Sequence, residues 1–538
     1  MDRLSAEERR ELARRLTAGE PLPAQYRDVL FPPVPEPRLI WPGQGTLEPA
    51  GVPADLGPRP VERVTGNVAK PVTCVEVAAS GQEVESGSPP GQGWVNRLVL
   101  GDNFAALGVL DRWDEAAIAA AGGIKLIYLD PPFLTGANVR ADVPIGDVGD
   151  GRSVSVPAFH DAWPGGLAAY LSMITPRLGS LHRSLATDGC LFFHADVRVS
   201  AAVRLVLDEI FGTGRLVNEI VWSYGLGNAR ARRAFAPKHD TILFYAKSDQ
   251  YRFDAPRGPV TPAMTAKYRH VRPDGSRFMR SYGREYTLRG GKPVGTVWDL
   301  PSISPTGRER AGYPTQKPER LLERIISAVT APGDLVLDPF CGSGTTIAVA
   351  DRLGRRWVGI DSSPLAIRTC RNRLRAGGAT FDIQTVMASP GDEPELTGLA
   401  YRLGPVTVTS IRGDQWTVEL VDVRVSGPPV AGPPPRRAGQ VTVRDGVLVQ
   451  IGRVGDPDGG DDRLTRHWSD WLDGWAVGTM SARHGFVALW EANRSRTDRG
   501  LPTRATFTVT EDRPAGDQLT ARVTDVFGRW WDAPVRAG

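Results

Sequence analysis

Between residues 94 and 380 the chain alternates short apolar runs with stretches in which apolar residues recur every three or four positions. The short runs predict buried strands, and the periodic stretches predict amphipathic helices. Such alternation is typical of a mainly parallel, doubly wound α/β sheet with helices on both faces. The predicted strands include 96–100, 126–129, 189–194, 218–222, 241–245, 334–338 and 356–361, and the predicted helices include 167–185, 198–211, 321–331 and 347–353.

Different patterns flank this alternating region. Residues 3–20 carry leucines at helical spacing among charges and predict a helix that ends at Gly19. Residues 43–92 are rich in glycine, proline, valine and glutamate without a strong period, which predicts an extended arm or a partly ordered linker. After about residue 379, alternating apolar and polar residues predict strands. We therefore expect an N-terminal helix and extended arm (1–93), an α/β domain (94–390) and a C-terminal all-β accessory domain (391–538).

The composition of the 538-residue chain indicates a globular protein, since 41% of its residues are apolar. No run of about 18 apolar residues occurs, so no membrane span is expected. The charged N-terminus lacks the apolar segment of a secretory signal. The four cysteines are scattered without a CxxC pair, which argues against a zinc site or a disulfide framework and fits a reducing, cytoplasmic location.

Positive charge is concentrated in one part of the chain. The net charge is only +4, yet residues 225–312 hold 17 lysines and arginines against 7 aspartates and glutamates, a local balance of +10. Aromatic residues are interleaved with these arginines. Arginine can bind phosphates and guanine edges and rings can stack on bases, so this segment predicts a surface that binds nucleic acid. A solvated surface insertion is the alternative that composition leaves open.

The predicted strand 126–129 ends in the sequence Asp130-Pro131-Pro132-Phe133. Proline cannot continue a sheet ladder, so the strand must stop there. In an open parallel sheet, ligands bind beyond the carboxyl ends of the strands. A carboxylate, a stiff turn with free carbonyls and a flat ring suit a planar amino group, but an ordinary proline-rich turn would look the same. Residues 134–157, which follow, are rich in glycine and aspartate and predict a mobile loop that works as a lid.

A second strand end lies much later in the sequence. The apolar run 334–338 leads into a glycine-containing turn at 339–344, and a helix follows. Glycines let the backbone approach a ligand at the N-terminus of a helix. The next strand, 356–361, ends in Asp361, at the place where nucleotide-binding folds hold a ribose. These features predict an adenosine-containing ligand. NAD is disfavoured, because Ile347 stands where the dinucleotide fingerprint has its third glycine.

The two strand ends together resemble the amino-directed DNA methyltransferases that use S-adenosylmethionine. The motif for the amino group precedes the cofactor motif, which is the circularly permuted order of the β class, the class that includes the modification subunits of type III restriction systems. Residues 313–319 (Tyr-Pro-Thr-Gln-Lys-Pro-Glu) resemble the sequence that leads into the cofactor loop of that class, and residues 100–103 (Leu-Gly-Asp-Asn) resemble its acid-ended strand. Stretches 159–163 and 208–212 are also similar to type III-like methylases. The resemblance covers roughly residues 94–380 and implies a Rossmann-like methyltransferase fold.

The resemblance implies a catalytic role for each residue of the first motif. The Asp130 carboxylate and the Pro131 carbonyl would accept hydrogen bonds from an exocyclic base amine, within the rigid turn that Pro132 completes. Phe133 would stack on a base flipped out of the duplex. The methyl group would pass directly to nitrogen without a covalent enzyme intermediate. C5-cytosine chemistry is disfavoured, because none of the four cysteines follows a proline.

The cofactor that the resemblance implies is S-adenosylmethionine, and no metal is expected. Gly342 and Gly344 would let the loop approach the methionine part, Asp361 would hold the ribose and Asp102 the adenine amine. The other candidate cofactor-binding residues are Asp338 and Thr345 for the amino and carboxylate ends, Phe340, which packs either on the cofactor or in the core, and Lys317, which either reaches the cofactor carboxylate or lies at the surface.

The expected partner is double-stranded DNA. Asp rather than Ser before the two prolines favours N6 of adenine in this family, with N4 of cytosine as the alternative and a catalytically silent DNA-binding regulator as a second alternative. Segment 225–312 would be the target-recognition region. No helicase or nuclease motif is visible, so restriction or phage defence would need a separate subunit or another defence-system protein, and a homodimer is left open. The candidate DNA-binding residues are Arg230, Arg232, Arg233, Lys238, Arg269, Arg277 and Arg280.

Overall fold

The computed structural model describes most of the chain. The described residues are 6–18, 20, 40–41, 57–65, 94–113, 115–146, 153–225, 233, 235–304, 306–386, 400–403, 406–412, 415–420, 423–426, 441–444, 447–450, 462–463, 467–494, 500–508 and 519–537.

The chain divides into two compact units, Met1–Trp41 and Pro42–Gly538. In the first unit, helix α1 spans Ala6–Ala18, within the range that the leucine spacing predicts. Its Leu12 side chain is buried, and Arg14 forms ion pairs with Glu11 and Glu20.

Eight described helices lie in the second unit. They are α2 (Asn103–Trp113), α3 (Glu115–Ala120), α4 (Gly166–Ser184), α5 (Ser200–Phe211), α6 (Pro262–Lys267), α7 (Glu319–Val329), α8 (Thr345–Arg352) and α9 (Pro364–Ala376). Among the helices described in the whole chain, none is long and apolar enough to cross a membrane.

The described strands of the second unit begin well before the predicted α/β domain. The first fifteen are β1 (Arg59–Val64), β2 (Asn96–Gly101), β3 (Ile124–Leu129), β4 (Val139–Pro144), β5 (Ser153–Phe159), β6 (Leu185–Ala195), β7 (Leu216–Ser223), β8 (His239–Ala246), β9 (His270–Val271), β10 (Arg277–Ser281), β11 (Arg284–Thr287), β12 (Val297–Asp299), β13 (Leu335–Asp338), β14 (Arg356–Asp361) and β15 (Phe381–Val386). The remaining strands are β16 (Ala400–Leu403), β17 (Val406–Arg412), β18 (Gln415–Leu420), β19 (Val423–Ser426), β20 (Val441–Arg444), β21 (Val447–Gln450), β22 (Asp462–Arg463), β23 (Leu472–Ser481), β24 (Gly485–Asn493), β25 (Arg504–Thr508), β26 (Leu519–Asp525) and β27 (Trp530–Ala537).

One large sheet contains most of these strands. Its centre is the parallel array β6–β3–β13–β14–β2–β15, in agreement with the parallel sheet that the alternating pattern predicts. Strands β8 and β7 extend it antiparallel beyond β6. All four residues of β13 are buried and so are five of the six in β3. Strands buried on both faces have no polar side to alternate, which explains why these sequences are continuous apolar runs.

Two segments differ from the sequence prediction. The predicted arm 43–92 contains β1, which pairs with β15 of the α/β part and with β24 of the C-terminal part. The predicted mobile loop 134–157 contains β4 and β5, which form an antiparallel hairpin. Both strands alternate buried and exposed residues. Glycine and aspartate at 146–151 hid this period-two pattern, because they dominate the composition of the segment.

The C-terminal strands join the same large sheet. From β1 the sheet continues through β24, β23, β26, β27, β17, β18 and β25. Among the described residues from Ala400 onward, the only helical segment is one short turn, Trp468–Trp471. Three of the tryptophans there, Trp471, Trp475 and Trp490, pack within or against the buried apolar cluster of this part, as rings in a protein core do.

Candidate active site

The two strand ends singled out in the sequence lie side by side. β3 and β13 are parallel neighbours, with Ile127 opposite Leu337, so Asp130 and Asp338 lie at the same edge of the sheet. A cavity of about 490 Å³ opens at this edge. The predicted residues that line it are Asp102, Asp130, Pro131, Pro132, Phe133, Lys317, Asp338, Phe340, Gly342, Thr345 and Asp361. Of the predicted catalytic and cofactor residues, only Gly344 is not part of the lining.

Asp130 has one carboxylate oxygen engaged and one without a partner. Its Oδ2 accepts a hydrogen bond from Lys317 Nζ at 2.5 Å. Its Oδ1 is buried and has no hydrogen-bond partner among the described residues. A buried acceptor without a donor is costly. The arrangement therefore leaves one oriented carboxylate oxygen that can accept a hydrogen bond from a ligand in the cavity.

Lys317 is buried, which excludes the surface alternative, and it lines the cavity, so its role in binding the cofactor stays a prediction. The residue is 8% exposed, and its ammonium also lies 5.2 Å from the centroid of the Phe133 ring. The neighbouring segment explains this position, because the Lys317 carbonyl accepts a hydrogen bond from Thr345 Oγ1 at the start of α8. Lys317 thus connects the cofactor turn with the carboxylate of the catalytic motif.

Phe133 stacks on a histidine that the sequence analysis did not single out. The ring centroids of Phe133 and His194 are 5.7 Å apart with an interplanar angle of 23°. His194 is fully buried, and its ring nitrogens lie 2.9 Å from Tyr128 Oη and 3.0 Å from Asp240 Oδ2. Burial raises the pKa of Tyr128, so its hydroxyl stays protonated. Burial opposes ionisation of Asp240 as well, but its hydrogen bond with His194 holds the pKa of Asp240 below the ordinary value.

A second missed residue, Asp161, organises the turn after Phe133. Its carboxylate accepts hydrogen bonds from the backbone N–H groups of Phe133, Leu134 and Thr135 at 3.3, 2.8 and 3.0 Å. The Thr135 hydroxyl and the Trp163 indole also donate to it. Leu134 has a positive φ of 61°, unusual for a branched residue, and these bonds hold it there. The motif at 159–163 was visible in the sequence, but nothing local indicated that it contacts the catalytic turn.

The cofactor turn requires its glycines. Gly342 and Gly344 have φ values of 49° and 72°, which side chains rarely adopt. A Cβ atom on Gly344 would lie 2.7 Å from Cys370 Sγ, and one on Gly342 would lie 3.3 Å from the Tyr313 ring. Gly344 therefore allows α8 to begin against α9, whereas Gly342 leaves room at the cavity wall. This explains why Gly344 belongs to the turn without lining the cavity.

Two buried acids flank this turn. Burial raises the pKa of Asp338 to about 7, although hydrogen bonds from Thr346 and the Phe340 backbone oppose the shift. Burial likewise raises the pKa of Asp361 to about 6, against hydrogen bonds from the backbone N–H groups of Ser363 and Gly342. Each acid keeps lone pairs that no described residue uses, because a carboxylate can accept about four hydrogen bonds.

Asp102 lies at the start of α2 on the opposite side of the cofactor turn. Its Oδ1 accepts hydrogen bonds from the Phe104 and Ala105 backbones, as an N-cap residue does. Its Oδ2 lies 2.5 Å from Arg177 Nη2. Asn103 donates to the Pro339 carbonyl at 2.8 Å, which ties this helix to the turn of the second motif. Asn103 and Arg177 also line the cavity and were missed by the sequence analysis.

Of the predicted DNA-binding residues that the structure describes, none lines the cavity. Arg230 and Arg232 lie outside the described residues. Arg233, Arg269 and Arg277 are exposed, and Lys238 is half-buried. Arg280 is exposed and forms an ion pair with Glu285 across the small sheet β9–β10–β11.

Comparison with known proteins shows what the part of the chain that contains both strand ends is similar to. Residues 124–371 match the N6_N4_Mtase family model, described as DNA methylase. The chain is 28% identical over 337 residues to the type II methyltransferase M.EcaI of Enterobacter cloacae, covering 53% of this chain and 70% of that protein. It is 29% identical over 255 residues to the DNA adenine methyltransferase YhdJ of Escherichia coli (strain K12), covering 47% of this chain and 77% of that protein. These matches support a DNA methyltransferase.

One relative is more similar over a shorter stretch, and one solved structure has a low similarity. A stretch of 167 residues is 45% identical to the type II methyltransferase M2.DpnII of Streptococcus pneumoniae and covers 31% of this chain and 53% of that protein. Among solved structures, the M1.HpyAVI–SAM complex is 20% identical, covering 52% of this chain and 98% of that chain, with a TM-score of 0.34. A score that low carries no argument about this chain. The family description covers both N6 and N4 acceptors and does not distinguish them.

Proposed function

We propose that this chain transfers a methyl group from S-adenosylmethionine to the N6 amino group of adenine in double-stranded DNA, directly and in line, with the target base flipped into the cavity. The observation that carries the proposal is the unpartnered, buried Oδ1 of Asp130 in the same cavity as the glycine turn of the second motif. On one side of the cavity, Asp130 could accept a hydrogen bond from an amine. On the other side, Asp338 and Asp361 could accept hydrogen bonds from an adenosine-containing cofactor, and Gly342 would let the cofactor lie close to the backbone.

The chemistry of an exocyclic amine explains the requirement for Asp130. The nitrogen lone pair of such an amine is delocalised into the ring, so the nitrogen is a poor nucleophile. Hydrogen bonds from its two hydrogens to Asp130 Oδ1 and to the Pro131 carbonyl would localise the lone pair. The carboxylate would also stabilise the positive charge that develops on nitrogen, an interaction that strengthens in the transition state. Lys317 keeps Asp130 oriented by holding its other oxygen.

The cofactor would supply the electrophilic methyl group on its sulfonium. Asp338 and Asp361 would accept hydrogen bonds from its amino group and its ribose, and Gly342 lets the backbone approach. The Thr345 hydroxyl already contacts Lys317, Ser343 and Arg373, so its role would be to shape the turn. The Asp102 carboxylate retains lone pairs for the adenine amine. Holding both reactants in one cavity would supply much of the rate acceleration.

Adenine is the proposed acceptor because Asp130 occupies the position where cytosine-specific members of the family that this chain resembles favour serine. A relative of similar sequence carries the name DNA adenine methyltransferase, which supports the same choice. N4-cytosine methylation uses the same architecture and is the alternative. A DNA-binding regulator without catalysis is less well supported, because Asp130, Lys317 and the glycine turn are all present in one cavity.

Target recognition would fall to residues 225–312, within the catalytic domain 94–390, and residues 391–538 would form an accessory domain. The small sheet β9–β11 carries exposed arginines, and Tyr282 at its turn is fully exposed with a positive φ of 49°. Phosphate contacts from such arginines would position the duplex. The names of several relatives as type II methyltransferases support a role in restriction–modification, with any cleaving subunit separate. A role in phage defence and a cytoplasmic location are part of the same proposal.

The proposal is tested with Asp130→Ala in the full-length protein. We expect the variant to bind S-adenosylmethionine with nearly wild-type affinity and to lose methyl transfer to mixed-sequence duplex DNA. Glu115→Ala, which changes an exposed carboxylate of α3 outside the proposed recognition region, serves as the control and should transfer normally. Near-normal transfer by Asp130→Ala would exclude the proposed mechanism. Tight cofactor binding by a wild-type protein that transfers no methyl group would favour the regulator.

A further inference from the structure

We propose that Arg494, in the C-terminal part, is a positioning residue for methyl transfer, because it holds the β4–β5 hairpin that forms one wall of the catalytic cavity. This inference rests on the proposed function and gives the C-terminal part a role in the reaction.

The β4–β5 hairpin belongs to the active site by position. It follows the catalytic motif directly in sequence, and three of its residues, Val139, Ala158 and Phe159, line the cavity. Its return strand leads into Asp161, the acid that binds the turn after Phe133. A displacement of the hairpin would therefore be transmitted to the residues that contact the base.

The hairpin does not stabilise itself. Its two strands form a separate two-stranded sheet, and isolated two-stranded hairpins are marginally stable in water. Its inward face carries six buried apolar residues: Ala141, Val143, Ile145, Val154, Val156 and Ala158. These six belong to one buried apolar cluster with Trp471, Leu472 and Trp475 of the C-terminal part and with Tyr313 of the cavity wall. The C-terminal part thus helps to cover the hairpin.

Arg494 adds a specific connection to this apolar contact. Its guanidinium donates hydrogen bonds to the carbonyls of Gly146 at 3.2 Å, Leu472 at 2.9 Å and Ser469 at 3.1 Å. The Gly146 N–H donates in turn to the Asp470 carbonyl at 2.8 Å. Both backbone groups of Gly146, at the end of β4, are therefore bound by the C-terminal part. Arg494 is only 5% exposed, so these bonds compensate the burial of its charge.

The same C-terminal part contacts the cofactor side through different residues. Asp473 accepts hydrogen bonds from Arg368 at 3.2 Å and Asn372 at 2.9 Å, both in α9, the helix after Asp361. Because Arg494 contacts the hairpin and Asp473 contacts α9, a change at Arg494 should affect the side of the cavity that would bind the base. The side that would bind the cofactor should stay nearly intact. A general loss of folding would affect both sides.

The test compares two buried arginines of the C-terminal part in the full-length protein. Arg494→Met removes the guanidinium that holds the hairpin. Arg522→Met removes one that is 4% exposed and contacts Asp532 and the Val61 carbonyl of β1. We expect Arg494→Met to lower kcat for methyl transfer to duplex DNA by about 10- to 100-fold, the loss expected from a misplaced reaction geometry. The affinity of this variant for S-adenosylmethionine should stay within about twofold of wild type, because the substitution does not change the contacts that bind the cofactor.

The control separates positioning from general destabilisation. Arg522→Met should lower Tm to a similar extent and retain most of the wild-type kcat, and Arg494→Lys should restore part of the activity. An unchanged kcat in Arg494→Met would overturn the inference. So would an equal loss of kcat in Arg522→Met at matched Tm, or a parallel loss of cofactor affinity in Arg494→Met.

Hydrogen exchange keeps the inference testable if the methionine variants do not fold or if the wild-type protein transfers no methyl group. In the wild-type protein, the amides of residues 139–146 should exchange slowly, and in Arg494→Lys they should exchange faster while those of β3 remain protected. Fast exchange of the hairpin in the wild-type protein, or unchanged exchange in Arg494→Lys, would overturn the inference. A wild-type protein without methyl transfer would instead overturn the proposed function.

Discussion

Lys317 Nζ lies 2.5 Å from Asp130 Oδ2, although 187 residues separate the two in sequence. The side chains are only 9% and 18% exposed, so this is a partly buried ion pair beside the cavity. It joins the sequence that leads into the cofactor turn with the carboxylate of the catalytic motif. The pair orients Asp130 while leaving Oδ1 as an acceptor for a ligand.

The first prediction concerns the stability that this pair contributes. Removing one partner of a partly buried pair leaves the other group without compensation for its lost hydration, so Lys317→Met should lower the free energy of unfolding by about 1–3 kcal/mol. The double variant Asp130→Asn/Lys317→Met should lose less than the sum of the single losses, with a coupling of about 1–3 kcal/mol. Urea unfolding of the four proteins measures this coupling. Additive losses would show that the contact contributes little.

The second prediction concerns Asp161. Asp161→Asn replaces one acceptor oxygen with a donor, so some of the five hydrogen bonds from the turn must be lost. We expect methyl transfer to fall about 10- to 100-fold because the turn carrying Phe133 shifts. Equilibrium binding should show an unchanged affinity for S-adenosylmethionine. Thr135→Val removes only one of the five donors and should have a smaller effect. Equal losses in the two variants would contradict a role for the whole set of bonds.

The third prediction concerns the histidine beneath Phe133. His194→Phe keeps a ring next to Phe133 but removes both hydrogen bonds, leaving Tyr128 and the Asp240 carboxylate without this partner. The free energy of unfolding should fall by roughly 1–3 kcal/mol, the cost of unsatisfied buried groups. Tyr128→Phe removes one of these bonds together with its buried hydroxyl and should cost less. Thermal unfolding measures both, and a His194→Phe variant as stable as wild type would refute the prediction.

The fourth prediction concerns pH. Burial raises the pKa of Asp338 to about 7, so this acid is protonated in the unliganded protein below that pH. A protonated acid loses its attraction for the cationic amino group of the cofactor, so affinity should rise as pH increases through about 7 and level off above it. Asp361, whose burial raises its pKa to about 6, should add to the lower part of this rise. Calorimetry across this range tests the trend, and Asp338→Asn should flatten it. Affinity that is independent of pH in the wild-type protein would contradict it.

The same shift has a consequence for the stability of the unliganded fold. Because the folded-state pKa of Asp338 lies above its ordinary value, its contribution to stability is fully present below the ordinary pKa. That contribution is lost as pH rises through about 7, where the buried carboxyl must ionise. Asp338→Asn should therefore raise Tm relative to wild type more at pH 8 than at pH 5. A constant difference in Tm between these pH values would contradict this assignment.

The sequence alone was sufficient to predict those site residues that belong to a short motif at the end of a strand. Asp130 and the glycines at 342 and 344 follow apolar runs, and parallel strands bring such runs to one edge of the sheet, so their proximity could be predicted. Asp161, His194 and Arg177 could not be predicted in this way. Each acts through contacts with residues distant in sequence. The stretch 159–163 resembles type III-like methylases, but nothing in it, or in the sequence around His194 and Arg177, indicates these contacts.

Local sequence patterns also could not predict that strands from the N-terminal and C-terminal parts of the chain pair in one sheet. β1 pairs with β15 and β24, which lie more than 300 residues away, and the short run 59–64 carries charges that weaken its apolar pattern. The hairpin at 139–159 was mistaken for a mobile loop because its glycines and aspartates were weighed by composition. Its alternating apolar residues were the signal that could have identified it.

The most direct test of the central claim is nucleoside mass spectrometry of DNA from a methylation-free bacterial host that expresses this chain or its Asp130→Asn variant. The proposed mechanism predicts N6-methyladenine in DNA exposed to the wild-type protein and none with Asp130→Asn at equal protein levels. N4-methylcytosine in place of N6-methyladenine would contradict the choice of adenine. N6-methyladenine at equal levels with both proteins would contradict the catalytic role of Asp130.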